Sequence, residues 1–208
     1  LKNQNKDIEA IGFPGITILH NPSKRISKTL GNCQKIANHF KIKVVGDFRL
    51  SDMKSGGQGA PLAPYFHNYI SVNKKKFINI LNLGGFGNFT GMTNNKLVAF
   101  DTGPANYIYD GLMREKYKMD YDKSGKIAKN GKVDNNALLK LLSHQYFKIL
   151  PPKSTGFEMF NLKWFYKTIK RFNIKSKSSL VATAAQLTVI SISDAINKMQ
   201  LDSHDIFF

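Results

Sequence analysis

The stretch AFDTGPANYIYD, residues 99–110, places a carboxylate, Asp101, at the end of an apolar run, with Thr102-Gly103-Pro104 next and helical spacing beyond. A carboxylate at a strand-to-helix corner can take a proton from a hydroxyl or a water while a phosphoryl group arrives from the opposite side. It can equally cap a turn, and these residues alone leave both readings open. NLGGFGN, residues 82–88, runs a strand into Gly84-Gly85. The missing Cβ atoms there let backbone N–H groups approach an anion, and Asn88 adds a side-chain donor. The alternative is a tight hairpin that needs glycine for positive φ.

Three further stretches carry polar groups at element ends. GDFRLSD, residues 46–52, reads as the end of a strand whose alternation puts Asp47 and Arg49 on one face. Arg49 there either binds a substrate carboxylate or sugar oxygens, or belongs to an internal ion pair that fixes the loop. SGGQGAPLAPYFH, residues 55–67, is a glycine-rich loop before a Pro-initiated helix, and reads as a polar ligand surface that includes Gln58 and Gly59. LPPKSTGFEMFN, residues 150–161, is a Pro-fixed loop leading to a helix with Asn161 as its N-cap. The five histidines are scattered and His67 is expected to pack on its helix, so no metal site is expected. Cys33, the single cysteine, excludes an internal disulfide framework and reads as a partly buried thiol.

The elements that must position these groups follow from spacing. Strands are expected within 8–20, broken by Pro14-Gly15, at 42–48, from Lys76 into Gly84-Gly85, across GNFTGMT, and at NKLVAFD, with Asn94-Asn95 as a hairpin turn. Helices are expected at 32–40, near Pro64–Ile70, and at 105–117, 134–143, 161–172 and 179–199. Residues 118–133 and 148–160 read as loops, and the long last helix reads as buried on more than one side. This is an α/β chain, and the strand order suggests, weakly by itself, a lobe of the sugar-kinase/actin kind.

Composition narrows the function classes. The chain has 208 residues and a formal net charge of +17, which on its own points to nucleic acid. Nearly all of that charge is lysine in a chain also rich in Asn, Ile and Phe, residue types that share A/T-rich codons. Only four arginines are present, and the Lys74–Lys76 run reads as a solvated loop. No uncharged apolar run approaches 18 residues, so no membrane span is expected. The N-terminus lacks a signal-peptide pattern, and the first residue is Leu rather than Met.

Taken in order and spacing, DFRLSDM, GGQGAPLAPYFH, NLGGFGN, FDTGPAN, PPKSTGFEMFN and ATAAQLT closely resemble the anhydro-N-acetylmuramic acid kinases, from about Ile11 to Asn197. The resemblance implies the two-lobed, ribonuclease H-like sugar-kinase/actin fold. Residues 1–70 would be the C-terminal part of the first lobe, and 71–208 most of the second. It implies an enzyme of the cytoplasm that uses ATP and Mg²⁺ to phosphorylate the 6-oxygen of 1,6-anhydro-N-acetylmuramic acid while water opens the anhydro bridge. The product, N-acetylmuramic acid 6-phosphate, belongs to peptidoglycan recycling.

By the same resemblance Asp101 is the base that activates the water. Gly84, Gly85 and Asn88 lie near the phosphates, and Arg49, Gln58 and Gly59 lie on the sugar side. The implied partners are the anhydro-amino-sugar and a second copy of the chain, with no nucleic acid and no membrane.

The family's His-Gly-Gln-Thr is here Pro14-Gly15-Ile16-Thr17, and its Gln-Ile-Gly-Asp is Thr29-Leu30-Gly31-Asn32. Its Lys-Ser-Thr-Gly-Arg-Glu has Phe157 at the Arg, and its Asp-Thr-Gly-Pro-Gly-Asn has Ala105 at the second Gly. No segment matches the family's Gly-Thr-Ser-x-Asp-Gly phosphate loop or its Gly-Gly-Gly adenosine loop. The resemblance therefore describes a fragment of that kinase, not expected to turn over usefully by itself. The alternative is a truncated, inactive remnant that at most binds the sugar or a partner chain.

Overall fold

The computed structural model describes residues 8–21, 24–73, 79–202 and 206–207. They divide into two compact units, 1–62 and 63–208.

In the first unit, β1 (Ala10–Gly12) is followed by β2 (Ile16–Asn21), β3 (Ile26–Leu30), α1 (Cys33–Phe40), β4 (Lys43–Val45) and α2 (Phe48–Lys54). Pro14-Gly15 separates β1 from β2 as expected, and Gly15 takes a φ of 66°. β2 and β3 form an antiparallel hairpin, and β1 pairs in parallel with β4 across the intervening elements, the long crossover a parallel pair needs. Asn32 caps α1 by accepting the Lys35 N–H at 2.9 Å. The expected strand at 42–48 ends at Val45. Asp47 enters the left-handed region at φ 55°, which breaks the extended run, and Phe48 opens α2. Asp47 and Arg49 therefore do not alternate along a strand, which corrects that expectation.

The second unit opens with α3 (Ala63–Asn73) and continues with β5 (Asn79–Leu83), β6 (Phe86–Thr93) and β7 (Lys96–Pro104). These form consecutive antiparallel pairs, with Asn94 and Asn95 both at positive φ in the turn between β6 and β7. Helices α4 (Asn106–Tyr117), α5 (Lys126–Lys129), α6 (Asn135–Leu142), α7 (Leu162–Ile169) and α8 (Lys177–Asn197) follow. The short strand β8 (Ile206–Phe207) then joins β5 in parallel, giving the order β7-β6-β5-β8. The segment 118–133 is not all loop: Asp122 accepts the N–H groups of Ile127 and Ala128 at 3.0 and 2.9 Å and the Tyr109 hydroxyl at 2.8 Å, which nucleates α5.

Sheet alternation sorts the side chains. Leu81, Phe89 and Phe100 stand opposite one another across β5, β6 and β7. They pack with Ala195, Ile192 and Ile196 of α8. A second cluster joins Ile108, Leu112, Leu141, Phe160 and Phe165 to Leu180, Val181, Ala184 and Leu187 of α8. Helix α8 thus serves both clusters, as its low charge suggested. Its length and composition would suffice to cross a membrane, and in this structure seven of its apolar residues pack in these two protein clusters while Val189 is exposed. The Lys74–Lys76 run lies outside the described residues.

Candidate active site around Asp101

The register of three strands builds a polar row. Asn82 of β5, Asn88 of β6 and Asp101 of β7 are directly opposed partners. They share the sheet face opposite the phenylalanines. On that same face His67 of α3 bonds Thr90 through Nδ1 at 2.9 Å. Burial lowers the pKa of that imidazole. Asn82 is exposed, whereas Asn88 and Asp101 are half-buried.

A β-bulge falls between Gly87 and Asn88, so the ladder skips Thr102. Thr102 turns inward and donates its hydroxyl to the Gly87 carbonyl at 3.1 Å. A bulge here re-aims the neighbouring side chain, Asp101. The strand continues to Pro104, so Asp101 lies inside β7 and the corner itself is at Ala105.

Asp101 is held from the loop before α7. The Thr155 N–H donates to Asp101 Oδ2 at 2.9 Å. The Asp101 N–H donates to the Lys153 carbonyl at 3.0 Å, and the Tyr146 hydroxyl donates to the Asp101 carbonyl at 2.6 Å. Burial, then the Asp101 charge, drives the Tyr146 pKa upward and keeps that phenol a donor. Lys153 is itself buried at 8% exposure. Its ammonium donates to the Tyr146 carbonyl at 3.4 Å and lies 4.7 Å from the Tyr146 ring. Burial, then Lys198, pushes its pKa down.

The loop that holds Asp101 is anchored by aromatic packing. Fully buried Phe160 meets the rings of Trp164, His144, Tyr146 and Phe147 at 4.7, 5.1, 5.4 and 5.4 Å. Asn161 then caps α7 by accepting the Trp164 N–H at 2.9 Å, as its position before the helix implied. Tyr146 and Lys153 carried no local signal toward Asp101, because the contacts span tens of residues of sequence. Asn82 was legible as a polar residue in an apolar strand, but only the register aligns it with Asn88.

Gly84 and Gly85 join β5 to β6. Neither takes a φ in the left-handed region, so the backbone does not require glycine there. A Cβ on Gly84 would meet only the Phe86 carbonyl, at 3.9 Å, leaving the turn open above it. The Gly85 carbonyl accepts from the Ala105 and Tyr107 N–H groups and the Gly84 carbonyl from Asn106, each at 3.0–3.1 Å. The turn therefore caps α4. Because a trans peptide sets C=O and N–H on opposite sides, the Gly85 N–H points away from that helix.

In the first unit the predicted residues form their own group. Arg49 Nη1 donates to the Gly59 carbonyl at 2.8 Å, and Asp52 Oδ2 accepts the Gly59 N–H at 2.7 Å. Both ends of one glycine are thus clamped to α2. Gly59 sits at φ 71°, where an added Cβ would meet the Arg49 carbonyl at 2.9 Å, so this position needs glycine. Gln58 beside it is exposed. Among the departures from the family pattern, Ile16 is 70% and Phe157 54% exposed. Ala105 is buried, at φ −117° and ψ −110°.

The family profile of the anhydro-N-acetylmuramic acid kinases matches residues 1–208. The anhydro-N-acetylmuramic acid kinase of Shewanella sp. (strain ANA-3) is 41% identical over 200 residues, which cover 93% of this chain and 54% of the relative. That of Pseudomonas syringae pv. tomato is 40% identical over 204 residues, covering 96% and 56%. The chain spans about half the length of the curated relatives it matches. Mixed α/β architecture, the ordered motifs and a profile match across the whole sequence lead to one conclusion: this chain belongs to the anhydro-N-acetylmuramic acid kinase family.

Proposed function

We propose that the chain works as part of a kinase of the two-lobed sugar-kinase/actin fold that phosphorylates the 6-oxygen of 1,6-anhydro-N-acetylmuramic acid while water opens the anhydro bridge. In this reading residues 1–70 are the end of the first lobe and 71–208 most of the second. The observation that carries the reading is the half-buried Asp101 carboxylate, aimed by the Thr155 N–H at 2.9 Å and set in a row with Asn88. A carboxylate held in this way can accept a proton from the attacking water.

ATP supplies the phosphoryl group, and Mg²⁺ offsets its charge. Among the described residues no three His, Cys, Asp or Glu side chains come together. A magnesium ion would thus be held chiefly through phosphate oxygens and water, as that ion commonly is. The open Gly84-Gly85 turn and the Asn88 amide face the phosphates in this reading. Gln58 reaches the sugar, while Arg49 and Gly59 set the loop that presents it. The protein acts where such enzymes work, in the cytoplasm.

A second reading, a chain that binds the sugar or a partner without turnover, is favoured by Ile16 and Phe157. They put exposed apolar side chains where the family pattern is polar.

The test measures sugar binding and ATP-dependent phosphorylation of the anhydro-sugar by the chain and by Asp101→Asn. Turnover that falls by about 100-fold or more in the variant, with sugar binding kept, is the expected result. Equal rates in both would remove Asp101 from the chemistry. Sugar binding without turnover in either would select the second reading.

A further inference from the structure

Trp164 is the chain's one tryptophan. It forms part of a surface cavity of about 660 Å³ whose other lining residues are Lys140, Lys167, Thr168, Lys170 and Arg171. That size falls within the range of small-molecule sites. None of these residues belongs to the Asp101 row or bonds Asp101; Trp164 is shared with the aromatic packing behind the loop that does.

The cavity combines two chemistries. Its flat wall is an indole fixed from behind: the Phe160 ring meets Trp164 edge-on at 4.7 Å and the His144 ring at 5.9 Å. Its rim is cationic, and Glu115, the acidic group that reaches Tyr166 of α7, is engaged with Lys116 at 2.7 Å. Neither α6 nor α7 carries an acidic residue, nor does the 3-10 turn Lys170–Phe172, and the sequence has none from Met159 to Ser193.

The C-terminal dipole of α7 offsets only about half a charge of that excess. Arg171 is partly arranged already, its guanidinium lying 4.7 Å from the Phe172 ring centre. The Thr168 hydroxyl is engaged with the Trp164 carbonyl at 2.8 Å, so the polar groups left to a ligand are the cations.

We propose that this cavity binds a small ligand in which a planar ring is joined to a phosphate. The ring lies on the indole, and the phosphate takes charge-assisted hydrogen bonds from Lys167, Lys170 and Arg171, with Lys140 closing the rim. This does not rest on the kinase reading, since none of the groups offered to the ligand bonds Asp101.

The experiment titrates the 208-residue chain and its Asp101→Asn variant with AMP, adenosine and inorganic phosphate, following the emission of Trp164 in the cavity wall. AMP is expected to shift the emission saturably, more tightly than either half-ligand and more weakly as salt rises. The double variant Lys167→Gln/Arg171→Gln is expected to weaken AMP by at least about tenfold, with its thermal midpoint unchanged. Asp101→Asn is expected to leave the titration as it was. The proposal is overturned by a silent Trp164, by adenosine or phosphate binding as tightly as AMP, or by a double variant that stays folded and binds AMP as before.

Discussion

The two units bury their apolar residues very differently. Among the described residues up to Leu62, Met53 is the one fully buried hydrophobic side chain. In the same unit Ile16, Ile18, Leu30 and Val45 stand 70, 54, 54 and 53% exposed. The second unit gathers Phe89, Phe100, Phe160, Phe165, Leu112 and Leu187 at 0–1% exposure around α8. The lesson is that strand pairing does not make a core. β1–β4 and β2–β3 satisfy backbone hydrogen bonds, yet a two-stranded ribbon needs a further layer to cover its faces. Stability in this chain therefore resides in the second unit.

Matched truncations give the sharpest way to break that contrast. Phe160→Ala is expected to cost about 3–5 kcal/mol in urea denaturation, because it opens a cavity amid four aromatic rings. Ile18→Ala in the first unit is expected to stay within about 0.5 kcal/mol. Comparable losses from the two variants would show the first unit to be packed after all.

A smaller effect tests a cap inside the second unit. Burial tends to raise the Asp122 pKa. The N–H groups of Ile127 and Ala128, with the Tyr109 hydroxyl, outweigh it and hold the carboxyl below its ordinary value of 3.8. A depressed folded value means that the stabilisation is complete above the ordinary carboxylate range. It drains away as pH falls through the folded value, below about pH 4. Asp122→Ala is expected to cost about 2 kcal/mol at neutral pH and to flatten the acid limb of the stability curve.

The smallest expected effect concerns His144, whose pKa burial lowers from 6.5. Below that value the unfolded chain takes up a proton that the folded ring refuses, so stability falls as pH drops from about 6.5. His144→Gln is expected to remove that slope from urea midpoints measured between about pH 5 and 7. A slope retained in the variant would assign it to another group.

Much of this arrangement was legible in the sequence where one residue type performs one local task. Asn161 before an apolar helical run had to be a cap, and Asn94-Asn95 between two strands had to be a turn. GDFRLSD misled because its alternation fits a strand, whereas a left-handed Asp47 starts a helix one residue later. The grip on Asp101 was illegible for a different reason. Thr155 is 54 residues away and meets it through a backbone N–H, a group every residue but proline carries. Asn82, Asn88 and Asp101 align only once turn length and a bulge have set the register.

The β6–β7 hairpin is latched by Asp202, from the segment that follows α8. Asp202 accepts the Asn94 and Asn95 N–H groups at 2.8 and 2.9 Å across more than a hundred residues, while its own N–H donates to the Met92 carbonyl. The strands can pair as soon as they leave the ribosome, since their contacts are local. The latch must wait until all of α8 has been made. A nascent chain therefore carries its hairpin with an unsealed tip for most of the synthesis of the second unit. The bend just beyond α8 closes it.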